Sequence, residues 1–103
     1  MNMFDPAHPG ELLRETLESL REETGQKFSI REVAEGLDTT RKNLSAIING
    51  KQTITPDMAL RLGKAFNTTA EFWLQAQENY NLAQARKTTD IAKIRVFWQP
   101  ART

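Results

Sequence analysis

Apolar residues recur at helical spacing in five separate stretches of this chain, each opened by a residue that suits a helix start. In the first, Leu13, Leu17 and Leu20 line one face, with Leu12 and Thr16 beside them. Pro9 suits a first helical position and Glu11 a first turn, so a helix is predicted from Pro9 or Gly10 to about Glu23, ended by Gly25. Ile30, Val33, Ala34 and Leu37 fall at i, i+3, i+4 and i+7, behind a Ser29–Glu32 capping box. Leu44, Ile47 and Ile48 mark a third helix from Arg41 to about Asn49, with Gly50 as its stop. Thr55 and Pro56 open a fourth, whose predicted buried face is Met58, Ala59, Leu62, Ala65 and Phe66; Asn67 and Thr68 break it. Thr69 opens a fifth that runs to about Lys87, with Phe72, Trp73, Ala76 and Tyr80 repeating along it. The remainder reads two ways. Thr89 and Asp90 can cap a short helix over IAKIRVF, the reading adopted here. The same residues also alternate as Ile91, Lys93, Arg95, Phe97 against Ala92, Ile94, Val96, Trp98, which suits a strand.

Five helices with short connections predict an all-α domain over residues 1–88 and a C-terminal tail over 89–103. The second and third helices are separated only by Asp38, Thr39 and Thr40, a turn with a built-in N-cap. Ala34 is small where two crossing helices approach. Asp38 takes a turn position that usually holds Gly, and Asp enters left-handed backbone at modest cost. Two helices joined this tightly form the helix-turn-helix geometry, which places the second helix in the DNA major groove. An ordinary helical hairpin shows the same apolar spacing. The outer face of the third helix favours DNA, because from Thr39 to Thr53 there are three basic residues and no acid.

The candidate DNA contacts are therefore Ser29, Thr39, Thr40, Arg41, Lys42, Asn43, Ser45, Ala46, Asn49, Lys51 and Gln52. Arg41 and Lys42 open the third helix, where side chains point into the groove. Arg bonds guanine bidentately, Asn reads adenine, and Ala46 suits a thymine methyl. Ser29 caps the second helix and suits a phosphate as well. Lys51 and Gln52 belong to a polar loop that would lie along the backbone and position the protein.

Composition narrows the classes further. The chain has no cysteine and one histidine, which removes disulfides, thiolate chemistry and most metal sites, so no metal or cofactor is expected. His8 beside Pro9 suits a local hydrogen bond at a helix start. No apolar run reaches membrane-spanning length and no signal-peptide core opens the chain, so a cytoplasmic location is expected. No nucleophile–base pattern or phosphate loop suggests an enzyme. The net charge is only +1, but it is unevenly spread. Residues 11–23 carry five acids against two arginines, whereas residues 82–103 carry five bases against one acid. Glu15, Glu18 and Glu22 share one side of the first helix, either as a solvated face or as a surface for a basic partner. Phe72, Trp73 and Tyr80 suit a core, and Trp73 and Tyr80, with Phe97 and Trp98, are also candidates for a homodimer interface. Aromatics in a tail are costly unless a partner subunit covers them.

These residues also carry a family resemblance. HPGELL at 8–13, the helix-turn-helix at 29–50, INGKQTITPDMALRL at 48–62 and FWLQAQENYNL at 72–82 together resemble a HigA-type antitoxin, within the phage-repressor-like XRE superfamily of helix-turn-helix proteins. The first and last pieces are the specific ones, and the match spans nearly everything from His8 to Leu82. Asp38 and Asn81 depart from the family pattern, which more often has Gly and Asp there. The resemblance implies a dimeric repressor of its own operon that also neutralises a small basic RNase toxin. The toxin would cleave mRNA on the ribosome; by charge alone Glu15, Glu18 and Glu22 are the candidate docking side, with a solvated face the equal alternative. A stand-alone repressor and a helical interaction module without DNA binding are the competing expectations.

Overall fold

The computed structural model describes residues 5–101. Five α-helices follow in order: α1 (Pro9–Thr24), α2 (Ile30–Gly36), α3 (Arg41–Ile48), α4 (Pro56–Phe66) and α5 (Ala70–Thr88). Each begins where a side chain caps its first amides. His8 Nδ1 accepts from Gly10 N–H at 3.1 Å. Ser29 and Glu32 form the reciprocal capping box, and Thr40, Thr55 and Thr69 accept from Asn43, Met58 and Phe72 N–H. Gly25 and Asn67 close α1 and α4 in left-handed backbone, at φ 72° and 54°. Caps of this kind satisfy amides and carbonyls that a helix leaves unpaired at its ends.

The helices enclose one core of Leu13, Ala34, Leu37, Leu44, Ile47, Ile48, Ile54, Met58, Ala59, Leu62 and Trp73. Helix α4 packs on α5, α1 lies against α3 and α5, and α2 against α3. Glycine sets the closest of these approaches. A Cβ at Gly10 would lie 2.7 Å from the Ile48 carbonyl carbon and collide with the Ile47 and Ile48 oxygens, so the start of α1 rests directly on the end of α3. Gln77 is buried, but its amide is used at both ends. Its Oε1 accepts from Ile54 N–H at 2.8 Å, and its Nε2 donates to Asn81 Oδ1 at 2.9 Å.

The expected elements correspond to the observed ones, with corrections at Trp73, Phe72, Ala65 and the tail. Trp73 is fully buried within one chain, and its Nε1 donates to Thr68 Oγ1 at 2.8 Å, so it offers no surface to a second subunit. Tyr80 is half-buried, edge-on to the His8 ring at 6.0 Å. Phe72, expected in the core, is 46% exposed and meets Trp73 only edge-on. Ala65, expected on the buried face of α4, is exposed. The tail is neither the short helix nor a paired strand among the described residues. Asp90 caps a single 3-10 turn, Ile91–Lys93, and the backbone then runs on without regular structure. A seven-residue helix with no surface to pack on cannot offset its nucleation cost. Residues 102 and 103, the last two of the tail, lie outside the described residues, as do residues 1–4.

Candidate nucleic-acid interface

The turn between α2 and α3 is fixed before α3 begins. Asp38 adopts φ 56°, the left-handed conformation that the turn requires. Arg61, on α4, holds this turn from below. Its Nη1 donates to the carbonyl oxygens of Leu37 and Asp38, while its Nε bonds Asp57 Oδ1 at 2.7 Å. Thr39 N–H returns to Ala34 O at 2.9 Å, and Thr40 then caps α3. Leu44, Ile47 and Ile48 turn inward, which directs Lys42, Ser45, Ala46 and Asn49 to the other side, while Arg41 stands at the open first position of the helix. Of these, Arg41, Lys42 and Asn49 are exposed, while Ser45 and Ala46 are half-buried.

The chain leaves α3 through Gly50 at φ 74°, packed against the His8 ring. Lys51 N–H bonds Ala46 O at 2.8 Å, and Ile54 N–H is taken by Gln77. The loop from Lys51 to Thr53 is therefore tied at both ends, with all three side chains exposed. Side chains then link loop to helix. Asn43 Nδ2 donates to Thr39 Oγ1 at 2.8 Å, and Gln52 Nε2 donates to Asn43 Oδ1. Thr39, Thr40, Lys42, Asn43, Ala46 and Gln52 line one open concavity of about 480 Å3.

Arg41, Lys42 and Lys51 are exposed and no acid lies between residues 39 and 53, so a polyanion meets three cations along this segment, with exposed Asp38 just before it. Ser29 is exposed at the start of α2. Its oxygen accepts from Glu32 N–H at 3.0 Å, which leaves the hydroxyl hydrogen free to donate.

The structure thus brings ten of the eleven candidates onto α3 and its flanking turn and loop, with Ser29 at the neighbouring helix start. Asn43 is the exception in kind, because its carboxamide is engaged at both ends. Glu15, Glu18 and Glu22 are exposed on α1, an element separate from α3. Phe97 and Trp98 are 83% and 77% exposed in the tail. Sequence reasoning missed Arg61, Gln77 and Ile54. The Asp57–Arg61 spacing of i, i+4 reads as a surface pair on α4, and nothing in it signals a bond to a turn more than twenty residues earlier. Among the described residues no helix is long and apolar enough to cross a membrane.

The chain is similar to known proteins over most of its length. A helix-turn-helix family model matches residues 17–73. Virulence-associated protein A' of Dichelobacter nodosus is 44% identical over 100 residues, 96% of this chain and 81% of that protein. An addiction module antidote protein of the HigA family from Coxiella burnetii superposes with a TM-score of 0.81 at 38% identity, covering 91% of this chain and 99% of that one. The Pseudomonas aeruginosa antitoxin HigA, solved with the higBA promoter, gives 0.68 at 35% identity, covering 80% and 84%.

Proposed function

Because the chain belongs to the XRE-type helix-turn-helix family, in its HigA-type branch, we propose that it is the antitoxin of a type II toxin–antitoxin pair. It binds operator DNA in its own promoter, represses its operon, and neutralises an mRNA-cleaving RNase. The observation that carries this reading is likeness along nearly the whole chain to an antidote protein, joined to an exposed, acid-free recognition surface. A similar chain solved with promoter DNA supports the operator half. The protein acts by binding and performs no catalysis. Arg41, Lys42, Ser45, Ala46 and Asn49 meet base edges, while Ser29, Thr39, Thr40 and Lys51 hold phosphates.

The toxin half draws on charge. An RNase that handles a polyanion carries a basic surface, and the most acidic face here is that of α1. Glu15, Glu18 and Glu22 attract it at long range and mainly set the association rate, while apolar contact supplies most of the affinity. The acids and the cations of α3 lie on different elements, so one protein can hold toxin and DNA together.

Growth tests this reading. The product of the neighbouring reading frame should stop growth alone and be tolerated when this protein is co-expressed, and the protein should retard its own promoter fragment. Reversing Glu15, Glu18 and Glu22 to Lys should slow toxin association at low salt without weakening DNA binding. Retardation with no rescue leaves a stand-alone repressor, and an unchanged association rate removes α1 as the docking side.

A further inference from the structure

The side-chain chain from Thr39 through Asn43 to Gln52 joins a turn, a recognition helix and a loop. Resting on the operator-binding reading above, we infer that the concavity it borders reads A·T base pairs. Gln52 is its adenine reader, Ala46 its thymine-methyl contact, and Asn43 the residue that positions Gln52.

Asn43 is the residue that sequence rules would choose to read adenine. Its Oδ1 and Nδ2 are the two atoms such a contact requires; each keeps one hydrogen-bonding position, but both are tied to other side chains, which fixes the amide plane toward Thr39 and Gln52. It is also half-buried. Gln52 is exposed and gives only one of its two amide hydrogens to Asn43. The other hydrogen and Oε1 remain, and they form the donor–acceptor pair that matches adenine N7 and N6. A guanine in the same place presents two acceptors, so Oε1 would face an acceptor and repel it.

Two further observations locate the contact. The backbone under Gln52 is fixed by the left-handed Gly50, by the Lys51–Ala46 bond and by Gln77 holding Ile54. A glutamine on a free loop would lose its rotamer freedom on binding, but one tethered to α3 has lost part of it already. Ala46 lines the same concavity, and its methyl group suits the thymine C5-methyl that only A·T pairs carry into the major groove. Thr40 lies at the same concavity and is placed for a flanking phosphate.

Selection from a random duplex library with the full-length protein defines the preferred site. Each A·T pair in that site is then replaced singly by G·C, and competition is measured at fixed salt. For wild type, one replacement should cost about tenfold or more in affinity. In Gln52→Ala that penalty should vanish, with the other positions unchanged. Asn43→Ala should lose the penalty at the same position, and the double variant should lose no more than either single one. An Asn43 that reads a base itself would relax a different position. An Asn43 that merely supports the fold would weaken every duplex alike and lower the thermal midpoint. Either result overturns the assignment, as does an intact A·T preference in Gln52→Ala. If wild type selects no site, the operator reading itself fails and this inference falls with it.

Discussion

Asp38 sets the angle between the two helices of the motif from a backbone conformation that few side chains tolerate, at φ 56°. Replacing it tests the turn directly. Asp38→Gly should keep the fold and raise stability by up to about 1 kcal/mol, since Gly enters left-handed backbone without penalty. Asp38→Val should cost roughly 1–2 kcal/mol or more, because a β-branched side chain is crowded there. Thermal midpoints of the two variants against wild type decide it; a Val variant as stable as wild type would mean that the turn is not strained. Arg61 works on the same turn with bonds that the chain order hides. Its carbonyl partners are backbone atoms, which have no letter in a sequence, and this is why Arg61 reads only as a surface cation. Asp38 was legible for the opposite reason: the conformational demand falls on the residue itself.

Helix α3 carries two kinds of contact that salt separates. Arg41 at its first turn is a base-edge candidate, and Lys51, just beyond its C-terminal end, is a phosphate candidate. Arg41→Ala should cost roughly 1–3 kcal/mol on the preferred duplex and relax one base position. Lys51→Ala should weaken all duplexes alike and lower the slope of log affinity against log salt by about one. Titrations at several salt concentrations distinguish the two, and equal effects of both variants on specific and random DNA would remove Arg41 from base reading. At this scale the chain was readable because each helix announces itself. The caps at Ser29, Thr40, Thr55 and Thr69 are side chains, and the apolar period is local. What could not be read is packing across elements. Trp73 and Phe72 are neighbours on α5, yet Trp73 is fully buried beside Phe66 of α4 while Phe72 is 46% exposed, and only the meeting of helices decides which is buried. The tail failed for want of a partner: its apolar residues fit a helix or a strand equally, and neither forms without a second surface.

The molecule as a whole is longer than its helical body requires. Its longest extent is 58 Å and its radius of gyration 17.5 Å, against about 13 Å for a compact domain of 100 residues. The tail carries exposed Ile91, Ile94, Val96, Phe97 and Trp98, and Arg95 lies over the Phe97 ring at 4.6 Å. So much apolar surface on one strand of chain is costly in water unless covered. We expect a homodimer whose contacts include this tail, bridging two half-sites about 10 base pairs apart. Deleting residues 91–103 should raise the dimer dissociation constant and weaken operator binding through lost bivalency, while leaving the thermal midpoint of the helical body within a few degrees. Sedimentation measures the first; an unchanged constant would show that the tail takes no part in assembly.

The self-capped helix starts have a consequence in time as well as in energy. His8, Ser29, Thr40, Thr55 and Thr69 each secure the amides two or three residues ahead of them. The start of every helix is therefore written in its own stretch of chain, although α2 and α3, at seven and eight residues, hold only once they pack on their neighbours. Chains built from such near-neighbour interactions cross a low search barrier and complete folding in roughly microseconds to milliseconds. Refolding from denaturant should accordingly be over within the first milliseconds of a stopped-flow trace, and a dominant phase of seconds would show that assembly between helices, not their starting, governs the rate. A protein that reaches its working form this quickly can follow changes in its own synthesis almost without delay.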